Sequence, residues 1–227
     1  MNIALIVAAG SGTRMGNVDK PKQFLLIYNK PLLAYTIEAF DKNIAVDYIV
    51  VVTNKEYVDE VKNLCKTYKL NKVKNVVIGG STRQQSVYNG LKAIKANKDD
   101  IVIIHDAARP LVSQRIITDN INGCKLYDAV ETAIKVSDTI IKSEDEEKIT
   151  DIPNRKDLYQ VQTPQTFKFG LILSAHENAI KSKLPDVTDD AKLVIALGHE
   201  VRLVDGDKLN FKITTSEDLT LFKALLK

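Results

Sequence analysis

Three short stretches carry residue types whose spacing suits a polyphosphate. The first is Ala8-Ala9-Gly10-Ser11-Gly12-Thr13-Arg14-Met15-Gly16, which follows an apolar β-branched run. Glycines let backbone N–H groups converge on phosphate oxygens. The loop misses both common patterns. A dinucleotide loop needs its third glycine at position 15, where Met15 stands, and a Walker loop ends in Gly-Lys-Ser/Thr. Its cations set it apart: Arg14 lies inside it, and Lys22 follows Pro21, whose ring restricts the local backbone. A guanidinium and an ammonium beside such a loop can balance a triphosphate and stabilise charge developing on departing pyrophosphate. The plainer alternative is a glycine turn with solvated lysines, and Arg14 and Pro21-Lys22 weigh against it.

The second stretch, His105-Asp106-Ala107-Ala108-Arg109-Pro110, closes another apolar run. A carboxylate at a strand end, facing a triphosphate, is a natural Mg²⁺ ligand, because magnesium takes one or two carboxylates and completes its octahedron with phosphate and water. Ala107 and Ala108 leave room, and Arg109 can pair bidentately with a phosphate. His105 reads as a buried, hydrogen-bonded residue more than as a base. The third stretch, Gly79-Gly80-Ser81-Thr82-Arg83 with Ser86, follows a strand and opens a helix. Its glycines allow a flat base to approach, with the Ser86 hydroxyl in reach, while Ser81 or Thr82 can equally serve as helix cap. Thr188, before Asp189-Asp190, also reads as a cap. Lys212, in the apolar setting Asn210-Phe211-Lys212-Ile213-Thr214, reads as an edge-strand lysine.

These stretches need a scaffold that brings loop ends together. Short Ile- and Val-rich runs at Ile3–Ala8, Tyr48–Thr53, Val73–Ile78 and Ile101–His105 predict strands. Amphipathic stretches at Leu32–Asp41, Tyr57–Tyr68, Arg83–Ala96 and Gln114–Leu126 predict helices between and after them. The alternation predicts an α/β, Rossmann-like fold: a mostly parallel mixed sheet flanked by helices, with ligands at the carboxyl ends of the strands. After a strand at Val130–Ile134 the pattern breaks. The segment at about 137–168, with the acidic run Ser143–Lys148 at a solvated turn, reads as a β-arm projecting from the sheet. Helices near Gly170–Ile180 and Asp189–Leu197, a strand at Val201–Val204 and a helix at Glu217–Leu226 complete one domain over residues 1–227.

Composition narrows the class. The 227 residues are 44% hydrophobic and 27% charged, which excludes a disordered or low-complexity chain. A net charge of +3 is too small for a protein built to coat nucleic acid. No apolar stretch approaches a membrane span. Cys65 and Cys124 stand alone, without a zinc pattern, and fit a reducing cytoplasm. Only six of the 32 Lys and Arg residues are Arg, and Arg14, Arg83, Arg109 and Arg155 fall inside or beside these motifs.

Taken in order, the glycine loop, Pro21-Lys22-Gln23, Gly79-Gly80-x-x-Arg83-x-x-Ser86-Val87, His105–Pro110, Thr163-Pro164-Gln165, Thr188-Asp189-Asp190-Ala191 and Lys212-Ile213-Thr214 resemble the 2-C-methyl-D-erythritol 4-phosphate cytidylyltransferases of the non-mevalonate isoprenoid pathway. The resemblance spans about Ile3 to Leu219 and implies transfer of CMP from CTP to a polyol phosphate, with Mg²⁺. It implies that Ala8, Ala9, Gly10, Gly12, Gly80, Ser81, Ser86 and Ala107 bind the nucleotide, and that Arg14, Lys22 and Lys212 are catalytic. It further implies that Asp106, Arg109, Arg155, Thr163 and Thr188 bind the polyol phosphate, with Asp106 also on the metal. It implies a homodimer in which the arm carries Arg155 and Thr163 to the neighbour's site. Ser81 departs from the family, whose members often carry an acid there. The nearest rival is a ribitol-5-phosphate cytidylyltransferase; Ala8-Ala9-Gly10 and Ala107-Ala108-Arg109 favour methylerythritol phosphate. An NAD-dependent oxidoreductase is disfavoured by the displaced Gly16 and by Thr53-Asn54-Lys55, which lacks an acidic ribose partner.

Overall fold

Period-two alternation along the first strand buries both faces of a sheet. The computed structural model describes residues 1–10, 20–185 and 187–226. In chain order these hold β1 (Asn2–Val7), β2 (Leu26–Ile27), β3 (Lys30–Pro31), α1 (Leu32–Asp41), β4 (Tyr48–Thr53), α2 (Val58–Thr67), β5 (Val73–Ile78) and α3 (Arg83–Ala93). There follow β6 (Ile101–Asp106), α4 (Gln114–Tyr127), β7 (Ala129–Lys135), β8 (Tyr159–Lys168), α5 (Phe169–Lys181), α6 (Asp190–Ala196), β9 (Arg202–Asp205) and α7 (Ser216–Leu225). Ala4 and Ile6 of β1 pack with Leu33, Ile37 and Phe40 of α1 and with Ile116, Ile117 and Ile121 of α4. Ile3 and Leu5 pack with Val87 and Leu91 of α3, Ile172 of α5 and Val194 of α6. The helices therefore cover both faces, and the central strands are apolar throughout.

The main sheet has the order β5-β4-β1-β6-β8-β7-β9. β8 runs antiparallel to both its neighbours, and the other pairings are parallel. This is the predicted mostly parallel mixed sheet. The chain leaves β1 toward β4 on one side and returns to β6 on the other. Their carboxyl ends therefore diverge at the switch point where open α/β sheets bind ligands. Among the described residues no helix is long and apolar enough to cross a membrane.

The structure departs from the sequence reading in the second half. The expected strand Leu158–Gln162 is the start of a ten-residue strand, β8, that continues through Thr163-Pro164-Gln165 between β6 and β7. The return limb from Tyr159 is thus part of the main sheet. The exposed part of the arm is residues 137–152, where the only described β-pairing is a single bridge between Lys142 and Asp151. The strand setting expected around Lys212 is also absent. Residues 211–214 run without regular structure, and Ile213 N–H donates to Ala108 O at 2.8 Å. Ile213 is held by burial instead, with Ile27, Leu32 and Phe222 of α7.

Gly90 sets the distance between α3 and the sheet. A Cβ there would lie 2.5 Å from Leu5 Cδ1 and 2.8 Å from Val52 Cγ2. Both partners are fully buried, so neither can yield without moving the core. We predict that Gly90→Val destabilises the fold by about 2–3 kcal/mol. Urea unfolding would show this as a lower midpoint with an unchanged slope.

Candidate active site

The loop after β1 is fixed from below. Ala8 N–H donates to Val52 O at 2.7 Å. The buried Gln23 amide donates to Ala8 O at 2.7 Å and to Gly10 O at 3.1 Å. Pro21 leads into the short 3-10 turn Lys22–Phe24, and Phe24 stacks on Tyr57 at 4.7 Å. Gln23 and Phe24 point inward, which leaves Lys22 beside the loop, with its Nζ donating to Ile213 O at 2.8 Å. Gln23 is thus the residue that joins the Pro-Lys turn to the glycine loop. Gly12 and Arg14 lie outside the described residues.

Asp106 ends β6 at the floor of the same region. Its Oδ2 accepts from Lys212 Nζ at 2.7 Å, and its Oδ1 faces Arg83 Nε at 3.4 Å. Burial alone would raise its pKa, but Arg83 and Lys212 hold it well below the usual carboxylate range, so the group is ionised. Behind it lies a closed polar chain. Asp106 N–H donates to Thr163 Oγ1 at 3.1 Å, and Thr163 Oγ1 lies 3.1 Å from His105 Nδ1. His105 Nε2 lies 3.0 Å from Arg109 O, a pure acceptor, so Nε2 carries the proton and Nδ1 accepts from Thr163. Burial lowers the His105 pKa to about 4, so the ring is neutral. This matches the reading of His105 as a satisfied core residue. Thr163 sits inside β8 of its own chain, its hydroxyl engaged beneath Asp106.

The third wall is the β5–α3 loop. Thr82 caps α3, accepting from Gln85 N–H at 3.2 Å. Ser86 Oγ accepts from Gly80 N–H at 3.1 Å and donates to Thr82 O at 2.8 Å, so this buried hydroxyl shapes the loop itself. Across from it, Asp189 caps α6, not Thr188 as the sequence reading allowed. Thr188 is left free of that role and lines the cleft.

Together these walls enclose a cleft of about 730 Å³. It is lined by Ala8, Ala9, Gly10, Lys22, Gly80, Ser81, Ser86, Asp106, Ala107, Thr188 and Lys212, all singled out in the sequence, and also by Gln23, Asn54 and Arg83. Arg109, Arg155 and Thr163 do not line it. Arg109 donates to Asn210 O at 2.7 Å and to Val161 O at 3.4 Å, anchoring the segment before Lys212. Arg155 is exposed and donates to Ser137 O at 2.8 Å.

A buried network was missed by the sequence reading. Arg83 donates to Asp190 Oδ2 at 2.7 Å and to Gln165 Oε1 at 3.3 Å, besides facing Asp106. Asp190 Oδ1 lies 3.0 Å from His176 Nε2. The Gln165 amide donates to Glu131 Oε1 and, at 2.9 Å, to Asp189 Oδ2. Two signals pointed to it: a scarce Arg inside a motif, and a Glu in the apolar run Ala129–Ala133.

Residues 2–227 match the model of the IspD family, 2-C-methyl-D-erythritol 4-phosphate cytidylyltransferase. The chain belongs to that family. An enzyme of this name from Clostridium novyi is 45% identical over 227 residues, covering 100% of this chain and 96% of the relative. A ribitol-5-phosphate cytidylyltransferase from Lactiplantibacillus plantarum is 38% identical over 231 residues, covering 100% of this chain and 99% of the relative. Among solved structures, 4-diphosphocytidyl-2C-methyl-D-erythritol synthase from Anaerococcus prevotii aligns with a TM-score of 0.85 at 32% identity, over 99% of this chain and 95% of that one. Membership in a cytidylyltransferase family sets aside the dinucleotide oxidoreductase reading. It also accounts for a glycine loop that fits neither common nucleotide pattern.

The network yields a pH prediction. Burial and the neighbouring Asp189 push the Glu131 pKa up to about 8. Below an ordinary carboxyl pKa both folded and unfolded chains hold this proton. As pH rises toward 8 the unfolded chain releases it while the folded chain keeps it, so this group's contribution to stability declines. His105 acts oppositely, adding stability as pH rises from about 4 through the ordinary histidine range. Comparison with Glu131→Gln isolates the first effect: between pH 5 and 8, urea midpoints should fall less, or rise more, in the variant than in the parent protein.

Proposed function

We propose that this protein transfers CMP from CTP to 2-C-methyl-D-erythritol 4-phosphate, giving 4-diphosphocytidyl-2-C-methyl-D-erythritol and pyrophosphate. The observation that carries this reading is the cleft itself: a hydrogen-bonding neutral wall at Gly80–Ser81, and a side where Lys22, Lys212 and the ionised Asp106 line the same space, with Lys212 paired to Asp106. The neutral wall suits a base and the cationic side suits phosphates. The attacking group is a phosphate oxygen, already anionic at neutral pH, so no general base is required. The one histidine at the site is neutral and hydrogen-bonded through both nitrogens. Its role is to hold the Asp106 strand end, through Thr163.

Two polyanions must be brought into line against their mutual repulsion. Lys22, with Arg14, would stabilise charge at the α-phosphorus and on pyrophosphate. Lys212 and Thr188 would hold the polyol phosphate near Asp106, with Arg109 anchoring the segment before Lys212. Among the described residues no group of three His, Cys, Asp or Glu side chains gathers. A lone ionised Asp106 does fit Mg²⁺, whose other ligands would be phosphate oxygens and water. When bound there, the ion would neutralise phosphate charge.

The ribitol-phosphate relatives keep a second substrate in view, but their identity is lower than that of the methylerythritol-phosphate relatives. Ala107-Ala108 also favours methylerythritol phosphate. We read the active form as a cytoplasmic homodimer. Its exposed arm residues Ile140, Ile141, Ile149 and Ile152 would pack against a second copy, bringing Arg155 to the partner's cleft. Cys65 and Cys124 are free thiols, which fits a reducing compartment.

Pyrophosphate release with CTP and Mg²⁺ should be faster with methylerythritol phosphate than with ribitol 5-phosphate; the reverse preference would overturn the substrate assignment. Lys22→Ala should lower kcat/KM on the order of 10²-fold or more, measured with the preferred polyol phosphate. Mixed Lys22→Ala and Arg155→Ala chains should regain activity that neither shows alone. No regain would rule out action of Arg155 across the dimer.

A further inference from the structure

Ser81 lines the cleft on the β5–α3 loop, and its neighbour decides what it can recognise. Ser81 N–H donates to Gln85 Oε1 at 3.0 Å. A backbone N–H is only a donor, so the atom facing it must be the amide oxygen and not the nitrogen. The Ser81 hydroxyl lies 2.9 Å from that same oxygen and must therefore donate to it. With its proton so placed, the hydroxyl presents only lone pairs to any third group. Gln85 Oε1 is held in place by both donors of Ser81, its N–H and its hydroxyl.

This wall carries no free charge. Arg83, the one ionic side chain of the β5–α3 turn, is engaged by Asp190 and Asp106. A neutral, flat ring matches it better than a phosphate. We infer that Gln85 is a specificity-determining residue: it locks Ser81 Oγ as an acceptor, which favours a base with an exocyclic amine, as in cytosine, over one with a carbonyl there, as in uracil. A freely rotating serine would donate to the carbonyl as readily as it accepts from the amine. The inference rests on the cytidylyltransferase reading for the placement of the base, but base choice can be measured apart from turnover.

The test compares CTP and UTP binding by calorimetry without polyol phosphate, then kcat/KM with it. Gln85→Ala should reduce the CTP-over-UTP preference by about three- to tenfold in both measurements. Gln85→Glu retains an acceptor in place and should retain the preference. In the Gln85→Ala background, Ser81→Asp supplies an acceptor that needs no partner and should restore it. Gln85 and Ser81 are exposed, so folding should be unaffected, as thermal melts would check. Parallel loss of CTP and UTP in Gln85→Ala, at an unchanged ratio, would overturn the inference, as would a parent protein that binds both equally. CTP preference that Gln85→Ala weakens, without pyrophosphate release from any polyol phosphate, would sink the cytidylyltransferase reading and leave this one standing.

Discussion

The pairing of Asp106 with two cations governs this structure. A buried carboxylate costs several kcal/mol unless it is compensated. Here Lys212 and Arg83 compensate it through one oxygen each, and each comes from a distant part of the chain. Lys212 arrives on an irregular segment tied to Ala108 and sealed by α7. Arg83 arrives on the first turn of α3 and continues to Asp190 at the start of α6. One charge requirement therefore binds together the strand end, the β5–α3 loop and the start of α6 beside Thr188.

That arrangement also bears on the proposed chemistry. Asp106 stays ionised, its charge offset by Lys212 and by Arg83, which it shares with Asp190. Gln23, Thr163 and Arg109 anchor the cleft walls, so the proposed transfer would need little reorganisation as charge builds up.

The polar interior behind the cleft is costly and closely connected. Gln165 alone links Arg83, Asp189 and Glu131, and Glu131 keeps its proton in that company. Such a network is rigid when every member is paired and destabilising when one is removed. It couples β7 and β8 to α6, so the half of the sheet that bears no glycine loop still shapes the site.

Much was legible in the residues alone. Tyr48–Thr53, Val73–Ile78 and Leu32–Asp41 are strands and a helix with the bounds their periodicity implied; in Tyr48–Thr53 and Leu32–Asp41 the apolar spacing matches burial, while Val73–Ile78 is a half-exposed edge strand. Most of the cleft lining was legible too, since glycines, Pro21-Lys22 and Asp106 mark loops at strand ends, where chemistry concentrates. What the sequence left open depends on contacts between distant segments. Thr163 looked like part of a projecting arm, yet it lies in β8, because that strand finds two neighbours to pair with. Lys212 looked like a strand residue, yet burial of Ile213 and Phe222 holds its segment irregular. Ser81 had no evident partner until α3 brought Gln85 within reach. Local patterns determine elements and the type of chemistry. Which donor faces which acceptor, and so which groups are charged, neutral or free to bind, is decided only when the sheet assembles.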